Sequence, residues 1–328
     1  MADFGHEPAM PLAAGTGAAA PGTPSLQEML AGAHSGMLLF GITPPRQSAS
    51  PERVREIAAV TMGRLAPLNL DGLALYDIDD ESDRNPATRP FPYLPTIDPA
   101  VFYAEHLSGW GRPAVIYRCV GKYTQTDLRT WLGSADPARV LTVFVGASSD
   151  RKAVRTRLPQ AQALHQDIRP DLLAGGVAIT ERRDEHLRLM AKQARGCTFF
   201  ISQVVYSTDA AKSMVSDYFY TCRERQLTPR PVLFTFSVCG SLKTLAFLKW
   251  LGVDVPRWLE NDLLNATDPL AESYDRCLAG ARELMAFCRR LGMPFGFSVE
   301  SVSIRKAEIE AAVALAADLR GLLGRPAR

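Results

Sequence analysis

Leu173–Tyr206, LAGGVAITERRDEHLRLMAKQARGCTFFISQVVY, decides how the rest of the chain is read. Gly175 to Ile179 is a short apolar run, followed by the polar turn Thr180-Glu181-Arg182-Arg183. From about Asp184 to Arg195, Leu187, Met190, Ala191 and Ala194 recur at three- and four-residue spacing, which draws one apolar stripe along a helix. Gly196 stops that helix, and Cys197 to Ser202 is a second apolar run ending at Gln203. The spacing predicts a strand-helix-strand unit with parallel strands. Glu181 and Gln203 then stand at the carboxyl ends of those strands, where parallel α/β folds bind ligands.

The same alternation runs in both directions. Met37–Ile42, Gly72–Ile78, Ala114–Cys119 and Arg139–Gly146 read as four earlier strands, and Pro231–Ser237 and Pro294–Val299 as two later ones. Helices are expected between them, among them one begun by Ser50-Pro51-Glu52, one by Asp98-Pro99, and one near Lys152 to Gln166. An inserted helical pair, up to about Leu291, precedes the last strand. A long loop carrying Pro86, Pro90, Pro92 and Pro95 follows the second strand; loops of that length are usually functional. About eight strands alternating with about eight helices is the pattern of an α/β protein of the (β/α)8 TIM-barrel class. An open doubly wound sheet gives a similar alternation, but no G-x-G-x-x-G turn follows the first strand to anchor it.

Bulk composition narrows the function classes. The 328 residues are 47% hydrophobic and 22% charged, with a net charge of +2, so neither a nucleic-acid-binding surface nor disorder is implied. No run approaches the roughly 20 apolar residues of a membrane span. The Ala/Gly/Pro-rich start lacks a basic end and an apolar h-region, so residues 1–30 read as a flexible tail and 31–328 as one barrel domain. Six scattered cysteines without a C-x-x-C pair suit reduced thiols in a cytoplasmic protein, not a disulfide framework or a zinc site. The number of subunits stays open, a homo-oligomer included.

The strand ends supply the candidate site. Gln203 can both donate to and accept from a heterocycle edge, or can make an interstrand bond at the rim. Glu181 suits a general acid or base, or a helix cap. Asp77 and Asp79 share a strand face and could act in acid–base work or hold a cation, or could edge a solvated loop. Tyr76 and Glu300 end the second and eighth strands and are candidates for substrate contact. Gly240-Ser241 opens a helix where barrels often hold phosphate, or forms an ordinary cap. His186 has no second ligand at metal-binding spacing, so no metal site is expected.

These residues resemble the methylenetetrahydrofolate reductases, a flavin-dependent (β/α)-barrel family, over about Met37 to Leu323. The best-marked parts are Phe40-Gly41-Ile42-Thr43-Pro44-Pro45-Arg46, the Leu173–Tyr206 stretch, and the segment from Trp258 through Glu300. The family's first-strand motif is Phe-Glu-Phe-x-Pro-Pro-Arg. Its sixth strand ends in a glutamine that contacts the pterin, matched by Gln203, and a lysine that helps hold the flavin phosphates is matched by Lys192. The family's acid falls on Gly41, its Arg-Gly-Asp after strand four on Val145-Gly146-Ala147, its strand-two threonine on Tyr76 and its strand-three histidine on Tyr117. The resemblance implies an oxidoreductase that reduces 5,10-methylenetetrahydrofolate to 5-methyltetrahydrofolate with NAD(P)H, through FAD or by direct hydride transfer. It would place the cofactor near Lys192, Tyr117, Gly146 and Ala147, with Asp77 or Glu181 supplying the missing acid. A folate-binding barrel with a changed one-carbon reaction, or a non-catalytic folate sensor, is the alternative.

Overall fold

The computed structural model describes residues 24–81, 87–147 and 153–324. Eight parallel strands close in sequence order into a barrel: β1 (Met37–Ile42), β2 (Gly72–Leu75), β3 (Ala114–Cys119), β4 (Val140–Val145), β5 (Ala174–Ala178), β6 (Cys197–Val204), β7 (Val232–Ser237) and β8 (Phe295–Glu300). The expected TIM barrel is therefore the fold. Closure pairs the first strand with the last, Phe40 opposite Val299.

Ten helices follow an opening turn, α1 (Leu26–Ala31), among the described residues. They are α2 (Pro51–Leu65), α3 (Pro99–Phe102), α4 (Gln125–Ser134), α5 (Leu158–Ile168), α6 (Glu185–Ala194), α7 (Thr208–Glu224), α8 (Leu242–Trp250), α9 (Arg257–Asn265), α10 (Pro269–Leu291) and α11 (Lys306–Leu322). Helices α9 and α10 are the insertion expected before the last strand. Beyond α3 the chain tightens through a π turn, Tyr103–Leu107, and a 3-10 turn, Ser108–Trp110.

Alternation along the strands builds two apolar layers. Leu38, Phe40, Phe234, Phe236, Phe297 and Val299 point outward and pack beneath Leu315, Leu319 and their neighbours. Met37, Leu39, Ala74, Val115, Leu141, Val143, Phe199, Ile201 and Leu233 fill the interior. Gly175 belongs to that interior: a Cβ there would lie 2.4 Å from Phe199 Cε2, so the ring occupies the space of a side chain. At the amino end of the strands α1 plugs the barrel with Leu26, Met29 and Leu30, held by a Ser25–Glu28 capping box. The tail boundary expected at residue 30 thus falls within an ordered element, because three apolar residues at helical spacing find the open barrel floor. Close by, Arg320 pairs with Asp71 at 2.7 Å, both side chains nearly inaccessible.

Other expectations shift by their physical context. The second strand ends at Leu75 rather than Ile78. Helix α5 starts at Leu158, and the expected start near Lys152 lies outside the described residues, as do Ser148 and Pro86. Helix α6 buries Glu185, Leu189 and Met190, whereas Leu187 is exposed. The apolar stripe was misplaced there because a buried carboxylate takes a position on the inner face. The loop after β2 runs along the carboxyl-end rim. It is pinned to the β1 loop by Gln47 N–H to Pro95 O and Ile97 N–H to Pro45 O. Earlier in the loop it docks against α8, where the Arg89 guanidinium lies over Phe247 and Trp250 and Phe91 packs edge-on to Phe247.

Leu30→Ala is expected to cost about 2–5 kcal/mol, the range for truncating a fully buried leucine, measured by urea denaturation. An unchanged midpoint would mean α1 does not seal the barrel floor.

Candidate functional site

At the carboxyl end the interior turns from apolar to polar within one layer. The outward set on β8 is Phe295, Phe297 and Val299, so Ser298 and Glu300 face inward; on β7 the outward Phe234 and Phe236 leave Thr235 and Ser237 inside. The register places Ser237 beside Glu300 and Thr235 beside Ser298. Ser237 Oγ and Ser298 Oγ are buried with no hydrogen-bond partner among the described residues. Buried hydroxyls without partners are uncommon, and here both lie on the strands at Glu300.

Across from them stand two tyrosines. Tyr76, just past the end of β2, meets Tyr117 of β3 edge-on, with ring centroids 4.8 Å apart. Gly41 makes room for this group. A Cβ on residue 41 would lie 2.8 Å from Tyr76 Cε2 and 2.9 Å from Glu300 Cβ, so the two side chains meet over the glycine. Burial pushes the Glu300 carboxyl above the usual carboxylate range, a rise that the Tyr76 hydroxyl moderates by donating to it. Burial likewise raises Tyr76, with the neighbouring Glu300 and Tyr117 adding to it, and both phenols stay protonated hydrogen-bond donors.

A second polar group lies by β5 and β6. Glu181 accepts a hydrogen bond from Thr180 Oγ1 at 2.7 Å. Its carboxyl is raised, chiefly by burial and further by the charge of Asp254. Gln203 donates from Nε2 to the Leu251 carbonyl at 3.0 Å, the rim bond foreseen as its plainer role. Glu181 and Gln203 therefore border the same segment, residues 251–254, which follows α8. Glu181 does not cap α6, whose N-cap residue Asp184 makes no side-chain cap bond; Glu185, in the first turn, accepts from Ile179 N–H and pairs with Lys192 at 3.3 Å.

Asp77 does not join either group. Its two carboxylate oxygens accept from Lys122 Nζ, Cys119 N–H and Tyr123 Oη. The same cluster includes Asp98 bound to Arg118, whose guanidinium lies 4.3 Å from the Trp131 ring centroid on α4. Tyr76 points toward the barrel axis, so its neighbour Asp77 is turned the other way, into this outer cluster. Lys192 is turned away from the mouth too, donating to the Val177 carbonyl and lying against Gly176 behind β5. Gly146 and Ala147 sit at the end of β4, the first half-buried and the second exposed. His186 lies 3.9 Å from Asp217 on the surface, and no cluster able to hold a metal ion exists among the described residues. Ser241 caps α8 by accepting from Thr244 N–H, an ordinary helix start. No helix among the described residues is long and apolar enough to cross a membrane.

Sequence reasoning missed Lys122 and Tyr123, which lock Asp77, and the orphan hydroxyls of Ser237 and Ser298. Basic Lys122 just beyond the neighbouring strand was the available signal for the first pair. No local signal marks the second pair, since a serine at a strand end is equally suited to a rim bond.

A parallel (β/α)8 barrel with a polar, partly unsatisfied mouth at its carboxyl end is the class that fold and site define. The chain is 42% identical to an uncharacterized protein from Clostridium thermocellum that binds two copies of 5-methyl-5,6,7,8-tetrahydrofolic acid, over 90% of this chain and 99% of that one, with a TM-score of 0.81. It belongs to the same family as that folate-binding barrel. Xylanase XynB from Paenibacillus barcinonensis matches at 10% identity over 86% of this chain and 88% of its own, with a TM-score of 0.46. Dihydropteroate synthase from Xanthomonas albilineans matches at 13% identity over 90% and 95%, with a TM-score of 0.40. No protein-family model and no curated protein matches the chain.

Asp77→Asn is expected to lower stability by about 1–3 kcal/mol, since Lys122 and Tyr123 lose a charged partner, while leaving ligand affinity unchanged. Calorimetric melting and titration calorimetry check the two halves. Asp98 carries a signed pH effect. Burial pushes its carboxyl up, but Arg118 and the Val101 and Ala100 N–H groups more than offset this and hold it below the usual range. Its stabilisation is therefore present above the unfolded-state pKa and is lost as pH falls through the lower, folded-state value. An Asp98→Asn variant is expected to show a weaker acid limb in a plot of melting temperature against pH.

Proposed function

We propose that the barrel mouth binds a reduced folate, with the pteridine set among Tyr76, Tyr117, Glu300 and Gln203. The observation that carries this reading is the 42% identity, over nearly the whole of both chains, to a protein that binds 5-methyltetrahydrofolic acid. The chemistry of the mouth supports it. A pteridine is a flat heterocycle whose edge alternates donors and acceptors. Tyr76 and Tyr117 offer aromatic surface and phenolic O–H groups, Glu300 a carboxyl without a cationic partner among the described residues, and Ser237 and Ser298 hydroxyls still to be satisfied. Gln203 keeps its side-chain carbonyl for the ligand while Nε2 holds Leu251.

A reductive one-carbon reaction at this site is the second reading, supported by two carboxyls, Glu300 and Glu181, that burial holds toward their protonated forms. Both keep a proton to higher pH than an ordinary carboxyl, and a proton donor is what reduction of a methylene bridge requires. NAD(P)H would then deliver hydride directly. FAD fits the described residues poorly. Lys192 is committed to Val177 O and Glu185 behind the strand, and Gly146 and Ala147 bring no charged or donor side chain to the end of β4.

Titration calorimetry with 5-methyltetrahydrofolate tests the first reading. Wild-type protein is expected to bind, and Gln203→Ala to bind about tenfold more weakly, the equivalent of one lost hydrogen bond at about 1.4 kcal/mol. Absence of binding by a folded wild-type protein would refute it. Oxidation of NAD(P)H in the presence of 5,10-methylenetetrahydrofolate and without added flavin is expected if the second reading is right; binding without turnover would leave a folate-binding role alone.

A further inference from the structure

We propose that Glu300, lodged in the space that Gly41 leaves open and backed by Tyr76, is the residue that hands a proton to a nitrogen of the bound pteridine. The assignment rests on the reduced-folate reading and names the group within that site that handles the proton.

Three independent features point to this side chain. The first is position. Barrel closure makes β8 the neighbour of β1, and the pairing of Phe40 with Val299 sets Gly41 next to Glu300. Here the missing side chain is replaced by contact: a Cβ at 41 would touch both Glu300 Cβ and the Tyr76 ring. A side chain at 41 and the present Tyr76–Glu300 arrangement exclude one another, so the carboxyl that reaches the mouth here comes from β8.

The second feature is the surroundings. On β1 the facing residue is glycine, past β2 it is Tyr76, on β3 Tyr117, and on β7 Ser237. The titratable groups facing the carboxyl are thus two phenols, and no lysine or arginine pairs with Glu300 among the described residues. A half-buried carboxyl without a cation favours its neutral form, as the rise in its pKa reflects. Asp77, by contrast, already holds Lys122, and Glu181 its own Thr180. The third feature is the pair of orphan hydroxyls, Ser237 and Ser298, on the strands at Glu300. A ligand edge seated over Glu300 would give them partners.

The step balances simply. The Glu300 O–H bond breaks, an N–H bond forms on the heterocycle, and the electron pair stays on the carboxylate. Tyr76, a positioning residue, donates its O–H to that carboxylate and eases the charge, and water restores the proton afterwards.

Affinity for 5-methyltetrahydrofolate, measured by titration calorimetry from about pH 5 to about pH 9, tests this. Because the carboxyl is raised, the proton is present below its pKa and lost above it. Wild-type affinity is expected to be flat at low pH and then to fall about tenfold per pH unit. Glu300→Gln keeps an N–H donor that does not titrate, so its profile is expected to lack that decline. In Tyr76→Phe the carboxylate loses a donor, and the inflection is expected to move to higher pH. An infrared difference spectrum of wild type minus Glu300→Gln, recorded across the same pH range in the free protein, should show a protonated-carboxyl band that persists to higher pH than an ordinary carboxyl allows, with circular dichroism confirming that both are folded. A Glu300→Gln profile identical to wild type, or no such band in the difference spectrum, overturns the assignment. A wild type that binds no folate at any pH overturns the folate reading itself, and Glu300's role with it.

Discussion

A closed ring of parallel strands allows each residue one of two directions, toward the axis or toward the helices, and that binary choice governs everything at the mouth. With Phe297 and Val299 committed outward, Glu300 must face in; with Tyr76 facing in, Asp77 must face out. The same rule closes the lower end, where interior Met37 and Leu39 leave a floor that α1 seals with Leu26, Met29 and Leu30. Rigidity below and polarity above follow from one constraint on backbone geometry.

The upper layer holds its carboxyls in unlike ways. Asp77 is saturated by Lys122, Tyr123 and a backbone N–H, which makes it part of the wall between β2 and β3. Glu300 lies among phenols and serine hydroxyls with no cationic partner among the described residues, and desolvation opposes its ionisation. Burying a carboxyl without a cationic partner costs stability whatever its use, and functional sites are where such groups gather. The reduced folate proposed for that layer has an edge rich in donors and acceptors, and a member of the same family binds such a ligand.

The strands were legible because buried parallel strands read as continuous apolar runs, such as MLLFGI and VLFTFS, bounded by Gly, Pro or charge. Helix faces were less so. Leu187 fits an apolar stripe by spacing, yet the buried Glu185–Lys192 pair rotates the inner face away from it. Asp77 and Asp79 were paired on the assumption that β2 runs to Ile78, but the strand stops at Leu75 and the chain beyond it belongs to a loop. Position 41 shows the limit most clearly. A glycine in the place of an acid reads as a loss, and only the β1–β8 register reveals that Glu300 stands beside the gap. Closure of an eight-stranded barrel already implies that its first and last strands are neighbours, so this signal was present in the fold class itself.

A crystal structure with 5-methyltetrahydrofolate bound is the most direct measurement of the central claim. The expected result is a pteridine in the mouth with a ring nitrogen about 3 Å from the Glu300 carboxyl and the Ser237 or Ser298 hydroxyl newly partnered. A pteridine seated elsewhere, with Tyr76 and Glu300 still packed over Gly41 and both serine hydroxyls unpartnered, would contradict it.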